Sequence, residues 1–183
     1  MINSIYQRNF YAHFKAINSE ELIKKLDNEK VEKSSHRWAT NCKVKTLELD
    51  VKNYINLIGP NIDKFSELLQ MNIKCSVTEL WVNRYENGYH QEIHDHCPND
   101  FSAVFFLNSG KDFSNFYFYD RNLCNTPPRL KEFFRMEETF YPEINAGDMI
   151  IFPSNMLHGV TPHNGDVPRK TMSFNLVLTG PSE

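Results

Sequence analysis

The stretch CSVTELWVNRYENGYHQEIHDHCPNDFSAVFFL, residues 75–107, decides the architecture. Cys75 to Tyr85 is rich in Val, Leu, Trp and Thr, residue types that suit a pleated, half-buried surface, and it ends at the turn signal Glu86-Asn87-Gly88. Ile93 to His96 reads as a short strand, and Phe101 to Leu107 as a strongly apolar one closed by Asn108-Ser109-Gly110. The same pattern continues downstream. Asn115 to Tyr119 alternates aromatics, Ala146-Gly147-Asp148 turns the chain into a buried strand Met149–Pro153, and Lys170 to Leu178 is the last strand. Short strands at regular spacing, with turn residues between them, predict an antiparallel sandwich or barrel of the jelly-roll kind.

Upstream the pattern is helical. Ile5 to Lys15 reads as an opening strand or extended arm. Asn18 with Glu21 predicts a capping box for a helix from Glu20 to Asn28, with Leu22 and Leu26 on one face. Glu29 to Ala39 is polar and loop-like, and Val44 to Leu49 alternates as a strand does. Asp50 is placed to cap a second helix in which Ile58, Ile62, Phe65 and Leu69 follow helical spacing, and Gly59-Pro60 predicts a kink or two consecutive helices. Farther on, Cys124 to Arg129 and Val160 to Asp166 read as loops. Phe133 to Phe140 reads as a strand, its glutamates leaving a helix open. The expected fold is mainly β with N-terminal helices. It is one domain over residues 1–183: a helical buttress at 1–72 and a barrel core at 73–180.

Charge and cysteine usage narrow the function classes. Twenty-three acidic against twenty basic residues give a net charge of −3, which is no electrostatic footprint for nucleic acid or an anionic membrane. The four cysteines form no C-x-x-C pair and read as reduced thiols of a cytoplasmic protein. Met1-Ile2-Asn3-Ser4 leads into no apolar run, so no signal peptide is expected, and no apolar stretch is long enough to span a bilayer.

Three of the seven histidines carry the chemistry. His94 and His96 are two apart, so on an extended strand they share a face while Asp95 points to the other. His158 follows an apolar strand and precedes a loop, which puts it at a strand end or barrel mouth. His90 and His163 lie in polar, loop-like sequence, and His13 and His36 have no partners nearby. Any one histidine is best read as a surface or core residue, but this trio points to a transition metal. The pattern H-x-H-x-D-H fails at Pro98 and Asn99, and an eight-fold amidohydrolase barrel needs about 250 residues. There is no H-E-x-x-H and no thiol set for structural zinc, and Cys97 should face away from His96. A mononuclear site in a small β-barrel remains.

Several segments then resemble a known superfamily. They are Trp81-Val82-Asn83-x-Tyr85-x-x-Gly88, His94-x-His96, Ser102-x-Val104-x-Phe106-Leu107, Gly147-Asp148 to Phe152-Pro153-Ser154, His158-x-Val160-x-Pro162 and Arg169-x-Thr171-x-Ser173-Phe174-Asn175. In that order they resemble the 2-oxoglutarate/Fe(II)-dependent oxygenases, and more narrowly a group from bacteria and bacteriophages, over about residues 75 to 178. The resemblance implies a double-stranded β-helix with Fe(II) held by His94, the residue two later, and His158. It implies that Arg169 pairs with the distal carboxylate of the co-substrate 2-oxoglutarate and that Thr171 donates a hydroxyl. A guanidinium offers a carboxylate a two-pronged fork, and positions 169 and 171 share a strand face. Asn83 and Tyr85 also share a face and are candidates for hydrogen bonds to the co-substrate. The implied reaction hydroxylates a C–H bond of a peptidyl or small-molecule substrate with release of succinate and CO2.

Two departures stand out. The usual carboxylate position, two after the first His, holds His96, and the carboxylate sits instead at Asp95. Strand geometry favours three imidazoles over an irregularity that lets Asp95 reach the metal. Ser114-Asn115 stands where related enzymes often have glycines, a departure expected to be minor. The same residues also resemble a cupin, with Asp100 as a fourth ligand beside the three histidines. A cupin, however, has no need of Arg169-x-Thr171 or of the Trp81-to-Gly88 segment. A barrel without chemistry, serving as a binding module, is the third reading. The aromatic segments Asn115–Tyr119 and Phe133–Tyr141 are candidates to line the mouth. A small-molecule or peptidyl substrate is the expected partner, with neither nucleic acid nor membrane, and oligomer formation is left open.

Overall fold

The computed structural model describes residues 9–32 and 43–180. Residues 1–8, His36, Cys42 and the end of the predicted loop to Ala39 lie outside the described residues, as does the side chain of Cys124. In chain order the elements are β1 (Ala12–Lys15), α1 (Ser19–Asp27), β2 (Lys45–Glu48), α2 (Ile55–Leu69), β3 (Lys74–Tyr85), β4 (Gln91–His94) and β5 (Phe101–Phe106). There follow β6 (Phe116–Tyr119), α3 (Pro128–Phe134), β7 (Thr139–Phe140), β8 (Asp148–Pro153), β9 (His158–Val160) and β10 (Arg169–Gly180). The strands form two antiparallel sheets, a larger one ordered β1-β8-β5-β10-β3-β2 and a smaller one ordered β4-β9-β6-β7. No helix among the described residues is long and apolar enough to cross a membrane.

The side-chain pattern of the large sheet explains both layers. One face carries Leu80, Val82, Phe105, Ile151, Met172 and Phe174, which pack with Leu22 and Leu26 of α1 and Ile58 and Phe65 of α2. The opposite face carries Tyr85, Val104, Phe106, Ile150 and Phe152, which meet Phe116, Phe118 and Val160 of the small sheet. β5 and β8 are therefore apolar on both faces, which is why they read as continuous apolar runs. β10 is different. Its inward positions Arg169, Thr171, Ser173 and Asn175 are polar yet buried, while Met172, Phe174 and Leu176 on the outward face are apolar. Burying four polar side chains in a row is costly unless each is bonded, so this strand marks where function sits.

Local expectations are corrected in six places. Asn18 does precede α1, but with φ 58° and no side-chain cap bond, so the capping box with Glu21 is not formed. The left-handed backbone turns the chain out of β1, and Glu20 and Glu21 act on the helix dipole instead. α2 runs unbroken through Pro60. Burial of Leu57, Ile58 and Phe65 offsets the missing N–H, and the Asn61 side chain ties the helix to the β1–α1 link by accepting the Ile17 N–H at 2.8 Å and donating to Ile17 O at 3.3 Å, while its amide also donates to Leu57 O within the helix at 2.9 Å. Asp50 caps a short 3-10 turn, Val51–Asn53, ahead of that helix. Pro128 opens α3 at its first turn, where a missing N–H has no cost, so the helix occupies part of what reads as loop and strand. β9 was not expected as a strand. The helices are also not confined to the N-terminal part, since α3 lies between β6 and β7.

Candidate metal centre and co-substrate pocket

His94 ends β4 and His158 opens β9, and the two are partners in the β4–β9 ladder. Each ring is anchored in the same way. His94 Nδ1 lies 2.7 Å from the carbonyl of Glu92 and His158 Nδ1 2.9 Å from that of Met156, two residues earlier in each case. A carbonyl only accepts, so the ring proton sits on Nδ1 and Nε2 presents its lone pair. His96 lies just past the strand end, where its N–H donates to Ser154 O at 2.9 Å and its ring stacks on Trp81 at 5.6 Å. One nitrogen from each of His94, His96 and His158 lies within 4.8 Å of the others, the metal-capable group found among the described residues.

Burial keeps all three rings neutral. Desolvation lowers the His94 pKa, and it takes His96 down to about 4 with help from His94. His158 is pushed well below the usual histidine range by burial and by both neighbouring rings. Neutral imidazoles with converging lone pairs are the form in which histidine binds a metal.

The two carboxylates considered for this centre are elsewhere. Asp95 Oδ1 accepts the Cys97 N–H at 3.1 Å, and its side chain faces an outer groove with Tyr119 and Met156. Asp100 Oδ2 accepts the Leu178 N–H at 2.7 Å, so the cupin-like fourth position points to the β10 backbone.

A narrow cavity of about 20 Å³ lies between the two sheets beside the histidines and is lined by Asn83, Tyr85, Arg169 and Thr171. Arg169 is only 4 % exposed, and burial lowers its pKa to about 10, so it keeps its charge at neutral pH. Its Nη1 donates to Ser114 O at 2.7 Å and Ser114 Oγ at 2.9 Å, and its guanidinium lies 5.7 Å from the centre of the Tyr85 ring. No carboxylate among the described residues pairs with it. Asn83 Nδ2 contacts Thr171 Oγ1 at 3.3 Å and Ser173 Oγ at 3.2 Å, which leaves its buried Oδ1 without a hydrogen-bond partner.

Three participants were not foreseen from the sequence. Gln91 accepts the Tyr85 hydroxyl at 2.6 Å and lies 3.4 Å from His94 Nε2. Ser114 holds Arg169. Asn175, matched only as part of a motif, bridges Glu79 at 2.8 Å and Ser102 at 2.9 Å and comes within 3.4 Å of His96. The sequence signals were the motif containing Asn175 and the departure at Ser114; Gln91 offered none, because it reaches the site only through a register shift between Gln91 and His94.

The model of the family described as "Putative 2OG-Fe(II) oxygenase" matches residues 79–175, a span from β3 to β10 that contains all three histidines and Arg169. The chain belongs to that family. It is thus a 2-oxoglutarate-dependent oxygenase of a family that works with Fe(II). No curated protein matches the sequence.

Solved structures share the fold of this 2OG-Fe(II) oxygenase at low identity. An oxidoreductase of the 2OG-Fe(II) oxygenase family from Burkholderia pseudomallei superposes with a TM-score of 0.66 at 12% identity, over 94% of this chain and 86% of that one. A prolyl-4-hydroxylase of Pseudomonas putida gives 0.63 at 13% identity, over 92% and 93%. HygX from Streptomyces hygroscopicus, with nickel and 2-oxoglutarate bound, gives 0.61 at 10% identity, over 92% and 83%.

Proposed function

We propose that His94, His96 and His158 hold Fe(II) through three imidazole nitrogens, that Arg169 holds the distal carboxylate of 2-oxoglutarate, and that the enzyme hydroxylates a C–H bond with release of succinate and CO2. The observation that carries this reading is the buried, charged Arg169 with no acidic partner among the described residues. A buried cation without a counter-ion is costly, and a dicarboxylic co-substrate supplies the missing charge.

The rest of the pocket fits the same co-substrate. An Asn amide can be turned to suit its bonds. With Oδ1 of Asn83 on the hydroxyls of Thr171 and Ser173, the unpartnered Oδ1 disappears and two N–H donors face the cavity. A carboxylate accepts only, so it needs donors here, and the turned Asn83 amide offers them, while the Tyr85 and Thr171 hydroxyl protons are spent on Gln91 Oε1 and Asn83 Oδ1 and fix that orientation. When bound, Fe(II) supplies the activation of dioxygen that is coupled to loss of CO2 from 2-oxoglutarate. The protein's part is to present neutral imidazoles, to orient the co-substrate and to keep water out. Three neutral ligands leave the centre one positive charge higher than a triad with a carboxylate does.

The two sheets fit a double-stranded β-helix, read as one domain with residues 1–72 as the buttress and 73–180 as the core. Free thiols at Cys75 and Cys97 accord with a cytoplasmic enzyme. Peptidyl and small-molecule substrates both stay in view, because the similar structures include a prolyl-4-hydroxylase and HygX, the latter also solved with hygromycin B.

Succinate formation tests the reading. The protein, supplied with Fe(II), 2-oxoglutarate and oxygen, should form succinate in a slow uncoupled reaction that His158→Ala abolishes. Absence of succinate from the metal-loaded wild type contradicts it and favours a cupin-type centre.

A further inference from the structure

We propose that Ser114 fixes which edge of the Arg169 guanidinium meets a carboxylate, and so selects the chain length of the 2-oxo acid. The inference rests on the co-substrate reading above.

A guanidinium carries five N–H groups, two on Nη1, two on Nη2 and one on Nε. Nη1 donates to the Ser114 carbonyl at 2.7 Å and to Ser114 Oγ at 2.9 Å, which engages both of its protons. End-on binding of a carboxylate pairs an Nη1 proton with an Nη2 proton, and that edge is therefore closed. The fork left to a ligand is the side-on pair, Nε–H with Nη2–H. The rings of Tyr85 and Phe106, at 5.7 and 5.4 Å, hold the guanidinium plane between them.

Ser114 is itself held from both sides. Its N–H donates to His163 Nδ1 at 3.3 Å, and His163 Nε2 donates in turn to Val167 O at 2.9 Å. His163 is fully buried, and Phe113 packs edge-on against it at 4.8 Å. The next residue, Asn115, donates its N–H to Thr161 Oγ1 at 2.8 Å and accepts the Thr161 N–H at 3.0 Å. Two loops thus clamp the serine, the serine clamps one end of Arg169, and the free edge stands at one distance and angle from the histidines. A fork fixed in this way suits one spacing between keto acid and distal carboxylate. Without the serine hydroxyl the Ser114 carbonyl still holds one Nη1 proton but the other is released, so the end-on edge opens and carboxylates at other spacings are admitted.

Equilibrium binding to the Ni(II)-loaded protein, followed by calorimetry, separates the outcomes. The ligands are 2-oxoglutarate, 2-oxoadipate and 2-oxobutyrate, the last lacking a distal carboxylate. Ser114→Ala should weaken 2-oxoglutarate about tenfold, the scale of one hydrogen bond to a charged group. It should also narrow the preference over 2-oxoadipate and leave 2-oxobutyrate unchanged, while Ser114→Thr restores most of the loss. Wild-type affinity for 2-oxoglutarate in Ser114→Ala, with affinity lost in Arg169→Ala, overturns the inference and leaves the co-substrate reading standing. An equal loss for all three acids, 2-oxobutyrate included, also overturns it, because that marks a role in the scaffold alone. Undiminished binding by Arg169→Ala fails the underlying reading as well.

Discussion

His94 and His158 face each other across the β4–β9 ladder with ring centroids 4.3 Å apart, each held by a carbonyl two residues before it. Two ligands on paired strands make a rigid half of a metal centre, and His96 closes it from the loop beyond β4. Removing His94, His96 or His158 as alanine should each lower Fe(II) affinity by at least a hundredfold, measured by anaerobic calorimetry. Asp95→Ala should retain iron, because its carboxylate is engaged by the Cys97 N–H. Loss of iron from Asp95→Ala with retention in His96→Ala reverses the assignment.

The metal-free protein should lose stability on mild acidification. All three histidines have folded-state pKa values below the unfolded value, His96 at about 4. The unfolded chain therefore takes up protons first as pH falls through about 6.5, while His96 in the folded chain resists until near 4, so stability is intact above the upper limit and declines below it. Denaturant midpoints from pH 7.5 to 4.5 should fall in wild type. They should fall clearly less in His96→Gln, and equal slopes in the two proteins would count against the neutral cluster.

Gly159 offers a test of the ladder that leaves the ligands themselves in place. A Cβ there would lie 2.7 Å from the Tyr117 hydroxyl and 3.1 Å from the Gln91 carbonyl. The tyrosine can swing away, but the carbonyl belongs to the neighbouring strand. Gly159→Ala should cost about 1–3 kcal/mol in a denaturant titration and weaken Fe(II) binding by prising β9 from β4. Wild-type iron affinity in this variant would mean that the His94–His158 spacing tolerates strand movement.

Much of the large sheet was legible in advance because its strands carry their burial in their own residues. β3, β5 and β8 could be read from composition and flanking turns, whereas Arg169 and Thr171 were pointed to by the family resemblance, with which their shared strand face agrees. β9 was not legible, since His158-Gly159-Val160 is too short to show a period. α3 was hidden by Pro127-Pro128, which reads as loop although the second proline suits a first helical turn. Ser114 and His163 illustrate a deeper limit. Each lies in polar loop sequence, and their bond to each other, like that of Ser114 to Arg169, exists only because the fold brings distant loops together. What looked like a minor departure at Ser114 became the anchor of the charged residue in the pocket.

The most direct test is an anaerobic titration of the apoprotein with Fe(II) and then 2-oxoglutarate, followed by its visible metal-to-ligand charge-transfer absorption. The wild type should develop the band at saturable 2-oxoglutarate, and Arg169→Ala should need at least tenfold more co-substrate to reach it. No band in the wild type, or identical titrations of wild type and Arg169→Ala, would contradict the assignment of the buried arginine to the co-substrate.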